Sequence, residues 1–222
     1  MNKWAEGIVE RVYTRWKDKY AESCKSGFKV FYSPVRQNPQ IMIIGYNPGG
    51  LENSFMSYKE KLERGDFSVP IKHEYLIKDY RLAKKMRNFF DKKEQLLEES
   101  IKINLIFFRS KNIREWKKIE KSKRIEIEGF CFDLVKEIIM QSKPKMILIE
   151  GISTYKKLRK ILGFEGSSVV TNGSQRCYVT EWMGIKLFAM PHPTGSRIKQ
   201  HDWEEIKELF HNNLALLDNQ RS

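Results

Sequence analysis

The sequence predicts an α/β domain in which helices cover both faces of a parallel or mixed sheet. Short, fully apolar runs alternate along the chain with longer segments whose apolar residues recur at helical spacing. An apolar run of this length is typical of a strand buried on both faces, and the alternation favours a layered α/β arrangement. The chain has 222 residues, 41% of them hydrophobic, without an internal repeat or a Pro/Gly-rich linker. We therefore expect one domain over residues 1–222.

The apolar periodicity assigns the elements in chain order. The first helix is predicted over residues 2–23, where an apolar residue recurs at every fourth position from Trp4 to Tyr20. Residues 46–72 are predicted to be rich in loops and residues 73–99 to be largely helical. The remaining elements are buried strands at 40–45, 102–108 and 145–151, helices at 125–141, 154–162 and 202–217, and a hairpin of strands at 177–182 and 185–190.

Composition narrows the class of protein. Lys and Arg number 41 against 28 Asp and Glu, which gives a net charge of +13 and suits a polyanionic partner, although a solvated lysine-rich surface explains it equally well. The chain lacks an apolar run of about 18 residues and an apolar signal-peptide core, so we expect no membrane partner and a cytoplasmic location. Cys24, Cys131 and Cys177 lie far apart, which favours reduced thiols over disulfides or a metal site.

Four loops leave the carboxyl ends of predicted strands, at 46–50, 109–111, 151–153 and 191–195. Open sheets of this class bind their ligands at the carboxyl ends of the strands. Polar side chains with catalytic potential are concentrated in the first and the last of these loops. We therefore expect the functional site where these two loops meet.

The first of these loops has the sequence GYNPGG. Its glycines allow backbone N–H groups to approach a ligand closely, and Pro48 favours an extended conformation at Asn47. An amide held in this way orients a water molecule or bonds the edge of a base. An ordinary strand-to-helix turn uses the same residue types, so the motif alone leaves both interpretations open.

The last loop has the sequence PHPTGSR, in which two prolines flank His192. Histidine acts as acid, base or neutral donor near pH 7, and Gly195, Ser196 and Arg197 are suited to phosphate contacts. A surface loop with a capping histidine is the alternative. Asn104 is a second candidate, because an amide in an apolar strand must satisfy its hydrogen-bonding groups, either with backbone or with a ligand.

Four segments together resemble the uracil-DNA glycosylase superfamily. IMIIGYNPGG is similar to its first motif in the GxNPG form, and MPHPTGSR is similar to its second, HPS-type motif. NLIFFRS and PKMILIEGISTYKKL resemble the two strand segments between these motifs. The segments follow the family's order over residues 41–199. The resemblance implies a three-layer α/β/α sandwich with a parallel four-stranded central sheet.

The resemblance also implies roles for individual residues. Asn47 would position the attacking water, and His192 would donate a hydrogen bond to the O2 atom of the departing base. Asn104 would read the pyrimidine edge. The backbone of Gly45 and Tyr46 would line the base pocket. The other substrate-binding residues implied are Pro48 and Gly49 in the first motif and Thr194, Gly195, Ser196, Arg197 and Ile198 in the second.

Two assignments within this set have several candidates. Residues 195–198 would form a wedge that enters DNA, with Arg197 or Ile198 filling the space of the flipped nucleotide. The aromatic ring that stacks on the base would come from Phe55, Tyr58 or Phe67. Thr194 stands where the family has a serine.

The implied activity is that of a monofunctional DNA glycosylase in base excision repair. It would flip uracil, or a related deaminated or mismatched base, out of double- or single-stranded DNA and hydrolyse the N-glycosidic bond, acting as a monomer with no metal or redox cofactor. Two alternatives remain at this point. One is a non-catalytic nucleic-acid-binding protein on the same fold. The other is an enzyme that acts on free nucleotides or nucleosides.

Overall fold

The computed structural model describes residues 2–47, 49, 55–91, 93–171 and 175–218. Its strands are β1 Ile41–Gly45, β2 Ile101–Asn104, β3 Met146–Glu150, β4 Ser167–Val170, β5 Arg176–Trp182 and β6 Ile185–Met190. Its helices are α1 Lys3–Arg15, α2 Met56–Glu63, α3 Glu74–Ile77, α4 Arg81–Phe89, α5 Glu94–Glu98, α6 Ile113–Lys118, α7 Lys121–Ser142, α8 Ile152–Leu162 and α9 Gln200–Asp218. Among these helices, none has the length and apolar character needed to span a membrane.

The six strands form one mixed sheet in the order β2-β1-β3-β6-β5-β4. β2, β1, β3 and β6 are parallel neighbours, whereas β5 runs antiparallel to β6 and β4 antiparallel to β5. The predicted α/β class is therefore confirmed. The sheet has six strands instead of the expected four, because the hairpin adds β5 beyond β6 and β4 adds an edge strand that the sequence did not predict.

Apolar side chains cover both faces of this sheet. In β1, Met42 and Ile44 belong to one buried cluster, and Ile41 and Ile43 belong to another. Period-two alternation of this kind places successive side chains of a strand on opposite faces. The buried faces of α1, α7 and α8 join the first cluster, and those of α4 and α9 join the second. Helices therefore cover both faces, as the sequence predicts.

Several boundaries differ from the predicted ones. The first helix continues beyond Arg15 as a π-helical turn over Trp16–Tyr20. β2 ends at Asn104, although the backbone N–H groups of Leu105 and Ile106 still donate to the carbonyls of Gly45 and Tyr46, and residues 105–108 remain buried. As a result, Asn104 lies at the carboxyl end of its strand. The loop-rich region contains α2, and residues 73–99 form three short helices where a largely continuous helical segment was predicted.

The segment before α4 is fixed over the sheet by a buried histidine. His73 is the N-cap of α3, and its Nδ1 accepts a hydrogen bond from the backbone N–H of Tyr75 at 3.1 Å. Its Nε2 lies 3.2 Å from the hydroxyl of Ser100. The side chain is 1% exposed, and this burial, assisted by Lys102, lowers the pKa of His73 to about 3. The imidazole is therefore neutral in the folded protein.

This burial predicts a pH dependence of stability. Between pH 6.5 and about 3 the unfolded chain binds a proton at His73 that the folded chain does not. The contribution of His73 to the free energy of unfolding is complete above pH 6.5. It is lost as the pH falls, with a slope on the order of 1.4 kcal/mol per pH unit. His73→Asn keeps a capping acceptor and removes the titration. Chemical unfolding measured across this pH range should show that the free energy of unfolding depends less steeply on pH in the variant than in wild type.

The same measurement well above pH 6.5 is the control. There His73 is neutral in both the folded and the unfolded chain, so it adds nothing to the dependence of stability on pH in either protein. Equal dependence on pH between pH 6.5 and 3 in wild type and His73→Asn would show that His73 does not carry the effect.

Candidate active site

A cavity of about 800 Å³ opens at the carboxyl ends of the four parallel strands. Loops from all four strand ends contribute to it, as expected from the open-sheet rule. The predicted residues that line it are Gly45, Tyr46, Asn47, Gly49, Asn104, His192, Gly195 and Ser196. The first and last motifs, far apart in the sequence, therefore meet in one cavity.

The predicted aromatic residues lie elsewhere. Phe55 is 2% exposed and packs edge-to-face on Trp16 at 5.2 Å, in the space left by the missing side chain of Gly27. Tyr58 and Phe67 pack against the same apolar cluster. The prediction that Phe55 binds substrate is therefore not supported by its position in the core. The aromatic rings that line the cavity belong to Tyr32, Tyr46, Tyr75 and Tyr80.

The other predicted residues of the second motif differ in how far they are buried. Thr194 turns its backbone N–H and hydroxyl toward His192, both at 3.3 Å from Nδ1. Arg197 is exposed, whereas Ile198 is half-buried against the cluster beneath α4 and α9. Of the two wedge candidates, Arg197 is therefore the more exposed. Pro48 of the first motif lies outside the described residues.

Backbone hydrogen bonds fix the tautomer of His192. Its Nδ1 accepts from the N–H of Gly195 at 3.0 Å and from the N–H of Thr194 at 3.3 Å. Because a backbone N–H only donates, Nδ1 carries no proton, and the neutral ring bears its hydrogen on Nε2. Burial lowers the pKa of His192, an effect that Glu150 opposes and Lys102 reinforces. The residue thus offers one neutral donor to the cavity near pH 7.

A serine anchors the amide of Asn47. Nδ2 of Asn47 donates to the Ser110 hydroxyl at 2.8 Å, and that hydroxyl donates to the carbonyl of Asn112 at 3.1 Å. Ser110 is 7% exposed, so these bonds are shielded from solvent. The Ser110 hydrogen is committed to Asn112, which leaves its oxygen as the acceptor for Asn47. The amide is thereby oriented, with Oδ1 on the side away from Ser110.

The sequence did not predict a buried charged network at the base of the cavity. Lys102 Nζ donates to Glu150 Oε2 at 2.9 Å, to Asn104 Oδ1 at 3.2 Å and to the carbonyl of Ile103 at 3.0 Å. The hydroxyl of Tyr75 donates to Glu150 Oε1 at 2.7 Å. The Lys102 and Glu150 side chains are 3% and 1% exposed. The sequence carried one signal for this network, which is a charged residue inside each of two apolar strands. Charged side chains are rarely buried without a partner.

Gly45 provides the space that this network occupies. β1 lies between β2 and β3, and Gly45 is directly opposite Asn104 in the register. A Cβ atom at Gly45 would clash with Asn104 Oδ1 and would lie 2.7 Å from Lys102 Nζ and 2.9 Å from Glu150 Oε2. Side chains from β2 and β3 therefore meet across β1 only because residue 45 has no side chain.

The described residues contain no group of three or more His, Cys, Asp or Glu side chains arranged to hold a metal ion. No protein-family model matches the sequence, and no curated protein matches it. The chemistry available at the site is that of its own groups. These are an oriented amide, a neutral histidine donor, a second amide and a buried ion pair, all around one cavity.

The clash at position 45 predicts a large loss of stability in Gly45→Ala. The new Cβ must displace the Lys102–Glu150 pair or its Asn104 partner, and separating a buried ion pair costs about 3–5 kcal/mol. We expect the free energy of unfolding to fall by at least about 3 kcal/mol, measured by chemical denaturation.

Gly129→Ala is the matched control. Gly129 lies in α7, and a Cβ there meets nothing within 4 Å, so this change should raise stability by up to about 1 kcal/mol. A decrease in Gly45→Ala no larger than a few tenths of a kcal/mol would contradict the close approach at Gly45.

Proposed function

We propose that the protein is a monofunctional DNA glycosylase that hydrolyses the N-glycosidic bond of uracil or a related deaminated or mismatched base. The observation that carries the proposal is the meeting of Asn47 and His192 in one cavity at the carboxyl ends of β1 and β6. These two residues come from the two motifs that resemble the uracil-DNA glycosylase superfamily. The parallel neighbours β2, β1, β3 and β6, within a six-stranded sheet that helices cover on both faces, support the proposed α/β/α sandwich.

His192 is suited to stabilise the departing base. Breaking the glycosidic bond places positive charge on the sugar and negative charge on the base oxygen. A fixed donor helps most where charge develops, and one such donor is worth about 3 kcal/mol in the transition state. The neutral Nε2–H of His192 is such a donor, because the backbone bonds at Nδ1 fix the ring before the substrate arrives.

Asn47 is suited to position the attacking water. An amide is too weak a base to remove a proton at neutral pH, so its contribution is orientation. Ser110 holds Nδ2 at 2.8 Å, which leaves Oδ1 to accept a hydrogen bond from water. The oxocarbenium-like sugar then reacts with a water that is already aligned.

A basic cleft beside the cavity supports DNA as the partner. It has a volume of about 500 Å³, and Arg81, Lys84 and Lys85 line it from α4. Asp79 also lines it and is paired with Arg87. Leu82 of the same helix lines the first cavity, so the two are neighbours along the surface. None of the three cations forms a salt bridge with the residues that the structure describes. Phosphates on either side of a flipped nucleotide would meet this cleft.

The first test is single-turnover excision from an oligonucleotide that carries uracil. Asn47→Ala should lower the rate by at least about 100-fold while DNA affinity stays nearly unchanged, because the residue acts on water and not on binding. Asn212→Ala, an exposed asparagine on α9, is the matched control and should change neither quantity. A parallel decrease in binding would contradict the positioning role. Failure of wild type to excise uracil, hypoxanthine, xanthine or mismatched thymine from any duplex or single strand would overturn the proposed function.

The second test concerns the basic cleft. Arg81→Gln with Lys84→Gln should weaken duplex binding and reduce the slope of log K against log salt by about 0.9 for each phosphate that is no longer neutralised. Lys136→Gln with Lys160→Gln removes the same charge from α7 and α8 and should leave the slope nearly unchanged. Equal changes in both double variants would show that only net charge matters and that the cleft does not bind phosphates specifically.

A further inference from the structure

A second group of cations lies beside the cavity, where the chain continues from β2 into α6. Asn112 is the N-cap of α6, and its Oδ1 accepts from the backbone N–H of Arg114 at 2.9 Å. The carbonyl of Asn112 accepts from the Ser110 hydroxyl, which in turn holds the amide of Asn47. α6 therefore begins two hydrogen bonds away from the candidate catalytic amide.

This part of the chain carries much of the positive charge of the protein. Residues 111–124 contain seven Lys or Arg and two Glu, which accounts for five of the net charge of +13. All of them lie outside the four segments that resemble the uracil-DNA glycosylase superfamily. We define the α6–α7 surface by the exposed cations of these residues, which are Lys111, Arg114, Lys117, Lys118 and Lys121.

Nearby carboxylates leave most of this charge unbalanced. Glu115 pairs with Lys118 within the surface at 2.8 Å. Glu128 of α7 is held by Lys157 of α8 at 2.6 Å, so it is engaged elsewhere. In the part of the chain that the structure describes, the cations of this surface without a salt bridge are Lys111, Arg114, Lys117 and Lys121. These side chains are free to meet an anionic partner.

The cations at the start of α7 oppose the dipole of their own helix. Its first turn contains Lys121, Lys123 and Arg124 without an acidic residue. Positive charge near the N-terminus of a helix is unfavourable, because that end already carries a partial positive charge. The N-cap Glu120, which accepts from the N–H of Ser122, offsets part of this effect. Charges that weaken their own element are expected where they serve a ligand.

The α6–α7 surface and the basic cleft of α4 lie on opposite sides of the sheet. Trp116 of α6 and the buried face of α7 belong to the apolar cluster that α1 and α8 also cover. The buried face of α4 belongs to the cluster on the other face. The cavity, at the strand ends, lies between the two basic surfaces. DNA that places a nucleotide in the cavity can therefore extend over both.

We propose that the α6–α7 surface binds a second stretch of the DNA backbone, on one flank of the flipped nucleotide and across the cavity from the basic cleft of α4. The inference rests on the proposed function and adds the path of the DNA over the protein. Each phosphate that a Lys or Arg neutralises releases condensed counterions, which favours binding at low salt. The phosphates of this stretch differ from those next to the flipped nucleotide, which lie at the cleft.

The test measures binding to a hydrolysis-resistant duplex that carries 2′-fluoro-2′-deoxyuridine. From the third phosphate outward, neutral methylphosphonates replace about six phosphates of each strand, which span roughly 20 Å, on one flank or on the other. Lys117→Gln with Lys121→Gln should weaken binding of the unmodified duplex at least about 5-fold. Neutralising one flank should abolish the difference between this variant and wild type, and neutralising the other should preserve it, because only one flank contacts the surface.

Two double variants of equal charge are the matched controls. Arg81→Gln with Lys84→Gln should weaken binding on both neutralised duplexes, because the cleft contacts the phosphates next to the flipped nucleotide. Lys136→Gln with Lys160→Gln should leave binding nearly unchanged on every duplex. Weakening by this second control equal to that of the α6–α7 variant would show an effect of net charge alone and would overturn the inference.

Lys117→Arg with Lys121→Arg keeps the charge and should bind like wild type. No weakening by the glutamine variant while wild type binds DNA, or an effect that either flank alone abolishes or that neither abolishes, would overturn the inference. Failure of wild type to excise any of the bases named above would instead overturn the proposed function, so the two failures are distinguishable. Absence of DNA binding by wild type would overturn both.

Discussion

The buried ion pair between Lys102 and Glu150 links β2 to the carboxyl end of β3 across the intervening strand β1. Two charges are removed from water here, and their attraction repays that cost only when the geometry is good and the remaining hydrogen-bonding positions are filled. The network meets that condition through Asn104, the Ile103 carbonyl and Tyr75. Gly45 makes it possible, since any side chain at that position would occupy the same space.

The candidate catalytic groups surround this network without being part of it. Asn47 follows β1 and is oriented by Ser110 after β2, while His192 follows β6 and is oriented by its own loop. Each side chain is held by hydrogen bonds within the protein, so its orientation does not depend on the ligand. Preorganisation of this kind lets a site favour a transition state without rearranging during the reaction. The sheet topology brings the two loops together, and local hydrogen bonds set the direction of each side chain.

The sequence predicted the parts of the site that depend on topology. Motifs placed after buried strands must meet at one edge of a parallel sheet, so the convergence of Asn47 and His192 followed from their positions alone. The sequence could not show that Phe55 lies in the core, because closeness in sequence does not tell which side of a loop faces inward, and the glycine at position 27 leaves room for its ring there. β4 was missed because a short edge strand containing two serines carries little apolar signal. The charged network was missed because its partners lie on different strands and only the register across Gly45 brings them together.

The most direct measurement of the central claim is a crystal structure of the wild-type protein with a duplex that carries one 2′-fluoro-2′-deoxyuridine. We expect the uracil in the cavity, with its O2 within hydrogen-bonding distance of His192 Nε2 and its other carbonyl oxygen facing the amide of Asn104. The phosphates next to the flipped nucleotide should run along the basic cleft of α4. A uracil that remains stacked in the duplex, or DNA bound on another face with the cavity unfilled, would contradict the account.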